Sequence, residues 1–143
     1  MKHLFLMGLV LAISLRAVPA ADTDAKTIQG HWKPVAGELS GHPMAETVLQ
    51  TISMKLEKGK YEVIADGRPD KGTYTLDAST KPKGMTVTGT EGPNLGKVFP
   101  CIYELKGDTL RICYDLSGAK RPAEFKSLPG TKLYMVTYER KKE

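Results

Sequence analysis

Apolar and polar residues alternate along most of the chain beyond residue 27, as they do in β-strands that bury one face. The pattern is clearest in residues 97–125, where two alternating runs flank a Gly107-Asp108 turn. Alternating runs joined by so short a loop are typical of a β-hairpin. We therefore predict a hairpin centred on this turn.

The predicted hairpin has one register that suits both of its faces. A two-residue loop places Leu105 opposite Leu110 and Glu104 opposite Arg111. Apolar side chains then meet on one face and opposite charges meet on the other. An exposed ion pair contributes only about 0–1 kcal/mol, so the apolar pairing determines the register.

The same alternation predicts eight strands in all and one helix. The first strand is centred on Gly30 and Trp32, and the helix lies within residues 44–52, after Pro43. Further strands are predicted at 52–57, 60–65, 72–76, 85–88, on both sides of the central turn, and at 132–140. Closing such a sheet removes its exposed edges. We predict an all-β fold: an eight-stranded antiparallel up-and-down barrel with one short helix after the first strand.

The alternation also predicts which side chains fill the barrel. The expected core residues are Trp32, Met54, Leu56, Tyr61, Val63, Tyr74, Leu76, Met85, Val87, Tyr103, Leu105, Leu110, Ile112, Tyr114, Tyr134 and Val136. An eight-stranded barrel is just wide enough to be filled by such side chains or to hold one small ligand.

Residues 1–20 have the composition of a secretory signal peptide: Lys2, an apolar run over residues 4–15, and small residues before a cleavage site after Ala20. The run is too short to span a bilayer. We expect a signal peptide at 1–20, a disordered N-terminus at 21–26 and one barrel domain at 27–143. The protein is then exported to the periplasm, the cell envelope or the medium.

The net charge and the distribution of basic residues do not indicate a particular partner. Cleavage would remove Lys2 and Arg16 and leave 19 basic against 16 acidic residues, a net charge of about +3. Basic residues are scattered except for the cluster at 140–142, and no aromatic-lined basic stripe accompanies them. This distribution argues against a nucleic-acid partner. No further apolar segment could cross a membrane, and we expect a monomer.

The two cysteines leave one question open. Export favours a disulfide between Cys101 and Cys113. The predicted register, however, places them on opposite faces of the hairpin, where their side chains cannot meet. A register slipped by one residue would pair them directly.

Several motifs carry a resemblance to a known family. They are Gly30-His31-Trp32, Lys71-Gly72-Thr73-Tyr74 with Lys81-Pro82-Lys83, Ile102-Tyr103-Glu104-Leu105, Leu110-Arg111-Ile112-Cys113-Tyr114, and Arg121-Pro122 with Phe125. The resemblance covers nearly the whole of the predicted mature chain, which begins at residue 21. The chain resembles the uncharacterised lipocalin-like domain family found chiefly in planctomycete bacteria. The resemblance implies an eight-stranded calycin-type barrel and no particular activity.

A looser resemblance is to the lipocalins proper. In that family a Gly-x-Trp on the first strand closes one barrel end, and an arginine from the last strand packs on the tryptophan. Gly30, Trp32 and Arg140 match these positions. The resemblance implies a structural closure, and stacking of a guanidinium on an indole contributes about 0.5–2 kcal/mol.

Candidate catalytic and metal-binding residues are few. Outside the predicted signal peptide the histidines are His31 and His42, and neither lies at a metal-ligand spacing from a cysteine or carboxylate. Cys113 has no neighbouring base in the sequence. Asp66 and Asp70 bound a predicted loop at 66–70, where they suit turn chemistry. We expect no enzymatic activity, no catalytic residue, no metal and no cofactor.

Two hypotheses for function remain. The first is a binding protein for a small apolar or amphipathic molecule, held inside the barrel. The residues expected to line its site are Tyr61, Tyr74, Tyr103 and Tyr114, with Arg121 and Phe125 at the barrel mouth or, alternatively, capping the sheet. The second is a solid barrel that acts as an envelope protein-interaction or structural module. An interior cavity of about 300 Å³ or more would favour the first, and a filled core would exclude it.

Overall fold

The computed structural model describes residues 20–142, so the predicted signal peptide lies, apart from Ala20, outside the described residues. The elements in chain order are α1 (Ala20–Thr27), β1 (Gly30–Leu39), β2 (His42–Pro43), α2 (Glu46–Leu49), β3 (Ile52–Glu57), β4 (Lys60–Ala65), β5 (Arg68–Asp77), β6 (Lys83–Glu91), β7 (Val98–Lys106), β8 (Thr109–Asp115) and β9 (Leu133–Arg140).

The strands form a closed antiparallel barrel. Each strand from β3 to β8 pairs with the next, β1 pairs with β3, and β1 also pairs with β9, which closes the sheet. β2 is a two-residue strand that pairs only with the end of β1. The all-β fold, the eight-stranded up-and-down barrel and the short helix after the first strand are therefore confirmed, although α2 is shorter than the predicted segment.

The central hairpin has the predicted register. Leu105 pairs with Leu110 across β7 and β8, and Glu104 pairs with Arg111. The guanidinium of Arg111 donates to Glu104 Oε1 at 3.2 Å. The two cysteines are accordingly free, and both are fully buried.

One turn is shorter than the sequence suggested. Only Asp66 and Gly67 form the β4–β5 turn, and both have a positive φ, of 50° and 76°. Two such residues make the tight turn whose twist matches antiparallel strands. Residues 68–70, expected in a loop, therefore belong to β5, where Pro69 pairs with Ile64.

The core lies inside the barrel and contains every residue predicted for it. These residues are either buried in the main cluster or packed against it. Four further buried residues of this cluster were not predicted: Ile28, Phe99, Cys101 and Tyr138.

Residues 21–26, expected to be disordered, lie instead in α1, which covers one end of the barrel. Asp24 is buried there, with its carboxylate 2.9 Å from Lys83 Nζ and 2.7 Å from the Tyr103 hydroxyl. These contacts join α1 to β6 and β7. The order of this segment comes from docking onto the barrel, which overrides its polar composition.

The same end holds the residues assigned to closure. Trp32 is fully buried, and its indole N–H donates to the carbonyl of Ile28 at 2.9 Å. The guanidinium of Arg140 lies 4.3 Å from the centre of the Trp32 ring. A side chain at Gly30 would come within 2.8 Å of that guanidinium. We call this the closed end of the barrel.

Candidate functional site

A cavity of about 240 Å³ lies inside the barrel, toward the end opposite α1. Its lining residues are Ile52, Met54, Leu56, Tyr61, Val63, Ala65, Asp70, Tyr74, Met85, Val87, Asn94, Phe99, Ile112, Tyr114, Leu116, Tyr134 and Tyr138. Ile52 begins β3, Ala65 ends β4, and Leu116 follows β8, so all three lie where these strands reach that end. We call it the open end.

Aromatic rings form one side of the cavity. Tyr114 on β8 stacks on Tyr134 on β9, with ring centres 5.4 Å apart and planes inclined by 25°. The hydroxyls of Tyr114 and Tyr138 are joined by a hydrogen bond of 2.9 Å. The rings offer apolar faces to a ligand, while the hydroxyl groups of Tyr114 and Tyr138 are already hydrogen-bonded to each other.

A small polar cluster lies in the wall of the otherwise apolar cavity. Asp70 on β5 accepts a hydrogen bond from the Tyr61 hydroxyl at 3.4 Å on one carboxylate oxygen. Its other oxygen accepts from the side-chain amide of Asn94 at 2.6 Å. Asp70 and Asn94 are both half-buried. The cavity wall thus contains a carboxylate held by two neutral donors.

The loop at 92–97 brings Asn94 to this cluster. The loop folds against Gly89 of β6, whose N–H donates to the carbonyl of Lys97 and whose carbonyl accepts from Gly96. A Cβ at Gly89 would lie 1.9 Å from the carbonyl oxygen of Asn94. No side chain other than hydrogen fits there, and the glycine permits the close approach.

One buried hydroxyl in the cavity wall has no partner. Tyr74 is 7% exposed, and its hydroxyl makes no hydrogen bond within residues 20–142. Burial raises the pKa of this group, and the nearby backbone of Gly59 offsets part of the shift without coming within ordinary hydrogen-bond geometry. A buried polar group without a partner costs about 1–3 kcal/mol. A ligand or water that formed a hydrogen bond with the Tyr74 hydroxyl would therefore stabilise the folded protein.

Burial keeps the cavity tyrosines protonated. It raises the pKa of Tyr61 to about 12, with help from the negative charge of Asp70. It also raises the pKa of Tyr134 to about 12 and those of Tyr114 and Tyr138 further. These side chains therefore act as neutral hydrogen-bonding groups and not as bases at neutral pH.

Of the four tyrosines expected to line a binding site, three line the cavity: Tyr61, Tyr74 and Tyr114. Tyr103 does not, because its hydroxyl is engaged by Asp24 at the closed end. The alternation of β7 shows which face Tyr103 occupies, but it does not show at which level of the barrel the side chain lies.

Arg121 and Phe125 lie on the outer wall of the barrel, not at its open end. The Arg121 guanidinium donates to the carbonyls of Met85 and Cys101, at 2.7 and 2.6 Å. Phe125 packs on Arg111, with the guanidinium 4.3 Å from the ring centre. The assignment of these two residues to a barrel mouth is corrected, because the loop at 116–132 folds back along the outside of the sheet.

Sequence reasoning missed several cavity residues, chiefly Asp70, Asn94 and Tyr138. For Asp70 a signal existed: a two-residue Asp66-Gly67 turn puts Asp70 in a strand, on the same face as Tyr74. Tyr138 likewise shares a face with Tyr134 by simple alternation. Nothing in the sequence places Asn94, which depends on the path of its loop.

Comparison with models of protein families, with curated proteins and with solved structures finds no match to this chain. Within residues 20–142, no three histidine, cysteine, aspartate or glutamate side chains come together in a way that could hold a metal ion. No helix in that range has the length and apolar character needed to cross a membrane.

Proposed function

We propose that this protein is an exported, lipocalin-like binding protein that holds a small apolar or amphipathic molecule inside its barrel. The observation that carries the proposal is the cavity of about 240 Å³, bounded largely by apolar and aromatic side chains and located toward one barrel end. Sites of this kind, apolar with a few polar groups, are typical of small-molecule binding.

The volume limits the size of the ligand. At about 240 Å³ the cavity does not reach the volume of about 300 Å³ named above as favouring a binder, which is also the lower limit for sites of drug-sized ligands, but the core is not filled either. An engineered cavity of about 150 Å³ takes up benzene. On that scale the ligand would have about ten non-hydrogen atoms, such as one ring with a short substituent. The unpartnered Tyr74 hydroxyl and the Asp70 carboxylate would supply its polar contacts.

Native mass spectrometry of gently purified protein tests the proposal. We expect an added mass that corresponds to one small molecule, and binding of small aromatic probes in solution. Val63 lines the cavity, so Val63→Phe should place a ring in it and abolish both signals. Ile64, the next residue on β4, is partly exposed, and Ile64→Phe is the matched control that should retain both.

The contrary result would favour the other hypothesis. If the wild-type protein carries no added mass and binds none of a panel of lipids and aromatic probes, the cavity is not a binding site. The protein would then be a barrel that acts through its surface, as an envelope protein-interaction or structural module.

Export is part of the proposal and rests on residues 1–20. Cleavage after Ala20 would retain Asp24 and Ile28, which close the barrel end. The measurement is N-terminal sequencing of the protein recovered from the periplasm of a bacterial host. A chain that begins at Ala21 supports export, and an uncleaved chain found only in the cytoplasm argues against it.

A further inference from the structure

Asp70 is the only charged residue among those that line the cavity. It lies on β5 and pairs with Val63, which also lines the cavity. No lysine or arginine accompanies it there, and no ion pair to Asp70 forms among residues 20–142. The wall of an apolar site therefore contains one negative charge without a compensating positive charge.

The hydrogen bonds of Asp70 leave part of its capacity unused. A carboxylate has about four acceptor positions on its two oxygens. Tyr61 and Asn94 occupy one on each oxygen. Both are neutral donors, so they orient the carboxylate without cancelling its charge. A bound molecule could donate to the remaining positions.

The surrounding rings favour the same kind of partner. The faces of tyrosine rings carry negative electrostatic potential and attract cations at close range. Tyr61, Tyr114 and Tyr134 all line the cavity with Asp70. An anionic head group would find no basic side chain in this wall, and it would be repelled by the carboxylate.

We propose that the cavity selects small molecules in which a protonated amine is attached to a compact apolar body, with Asp70 as the partner of the ammonium group. The inference rests on the proposed function, because it names the ligand class of the same site. The apolar body fills the space between the tyrosine rings and the aliphatic side chains, while the ammonium group donates to Asp70. Asn94, held over the site by its loop, fixes the orientation of the carboxylate.

The test is isothermal titration of the purified protein with three probes of similar size: phenethylamine, phenethyl alcohol and phenylacetate. The ammonium probe should bind at least about tenfold tighter than the alcohol, since its positive charge is attracted by the Asp70 carboxylate whereas the neutral hydroxyl can only donate a hydrogen bond to it. Phenylacetate should bind weakest. Asp70→Asn should reduce phenethylamine to the affinity of the alcohol and leave the alcohol unchanged, whereas Asp70→Glu should retain the preference for the amine.

Asp66→Asn is the matched control. It removes one negative charge from the same barrel end, at a turn residue that is not part of the cavity wall, and asparagine tolerates the positive φ found there. It should leave all three affinities unchanged. Equal binding of the three probes to the wild-type protein would overturn selection by charge while leaving cavity binding intact. Binding of none of them would overturn both this inference and the proposed function.

Discussion

The guanidinium of Arg140 lies 4.3 Å from the centre of the Trp32 ring, on the pair of strands that closes the barrel. It also donates to the carbonyls of Gln29 and Thr27 and to the Asp108 carboxylate. One side chain therefore joins the last strand to the first strand, to α1 and to the β7–β8 turn.

Arg140→Lys should reduce the free energy of unfolding by about 1–2 kcal/mol, because lysine keeps the charge but loses the planar stacking and the simultaneous hydrogen bonds. Urea unfolding monitored by the fluorescence of the single tryptophan measures it. Arg68→Lys, at an exposed position, is the control and should change little. Equal stability of both variants would mean that the contacts of Arg140 contribute nothing.

The tyrosines should resist ionisation in the folded protein. All six have a raised pKa, mainly because burial disfavours the charged phenolate. Ultraviolet titration should show no tyrosine ionising near the ordinary pKa of 10 until the protein unfolds. In denaturant all six should titrate there. A native titration step near pH 10 would contradict the buried environment of at least one ring.

The same shifts determine how stability depends on alkaline pH. Between pH 10 and about 12 the unfolded chain releases phenol protons that the folded chain retains at Tyr61 and Tyr134. The unfolded state then binds fewer protons, so the free energy of unfolding falls as pH rises. This stabilisation is fully present below pH 10. Urea midpoints measured across the range should decrease steadily, and a flat profile would contradict the prediction.

Asp24 should hold α1 on the barrel. In Asp24→Ala the Lys83 ammonium and the Tyr103 hydroxyl lose their common acceptor, which we expect to cost about 2 kcal/mol. Hydrogen exchange should become faster in α1 and remain slow in the β7–β8 hairpin. Glu91→Ala, an exposed carboxylate at the other end, serves as the control. Unchanged exchange in α1 would show that the other contacts of this segment, such as those of Arg140 with Thr27 and of Trp32 with Ile28, hold the helix without Asp24.

Both cysteines should behave as buried thiols. Burial raises the pKa of Cys101 and of Cys113, and the thiolate is the reactive form. Ellman's reagent should therefore detect no thiol in the native protein. After unfolding without reductant it should detect two. Fewer than two thiols would indicate a disulfide and a register different from the one observed.

The barrel could be predicted because its determinants are local. Alternation with a period of two, interrupted by glycine-containing turns, located β3 and β4 to the residue. The pairing of Leu105 with Leu110 followed from the length of one turn. Such features depend on neighbouring residues and on face polarity, and both can be recognised in the sequence.

The candidate site, the closed end and the path of the loop at 116–132 were less predictable, because they depend on contacts between distant parts of the chain. The sequence around Asp24 gives no sign that this residue is buried. Its carboxylate contacts Lys83 and Tyr103, which belong to two strands far along the chain. Arg121 was assigned to the wrong place because a loop without periodicity gives no sign of its path. Asp70 was missed for a local reason: the two-residue Asp66-Gly67 turn was interpreted as a longer loop.

The pairing of β1 with β9 has a consequence for synthesis. During synthesis, one edge of β1 stays unpaired until residues 133–140, which form β9, have been made. Until then the growing sheet has two unpaired edges, on β1 and on the latest strand, and each can pair with another chain. Premature termination before β9 would leave both edges permanently open. Such a shortened chain would assemble with its own copies and precipitate, although most of its core residues would still be present.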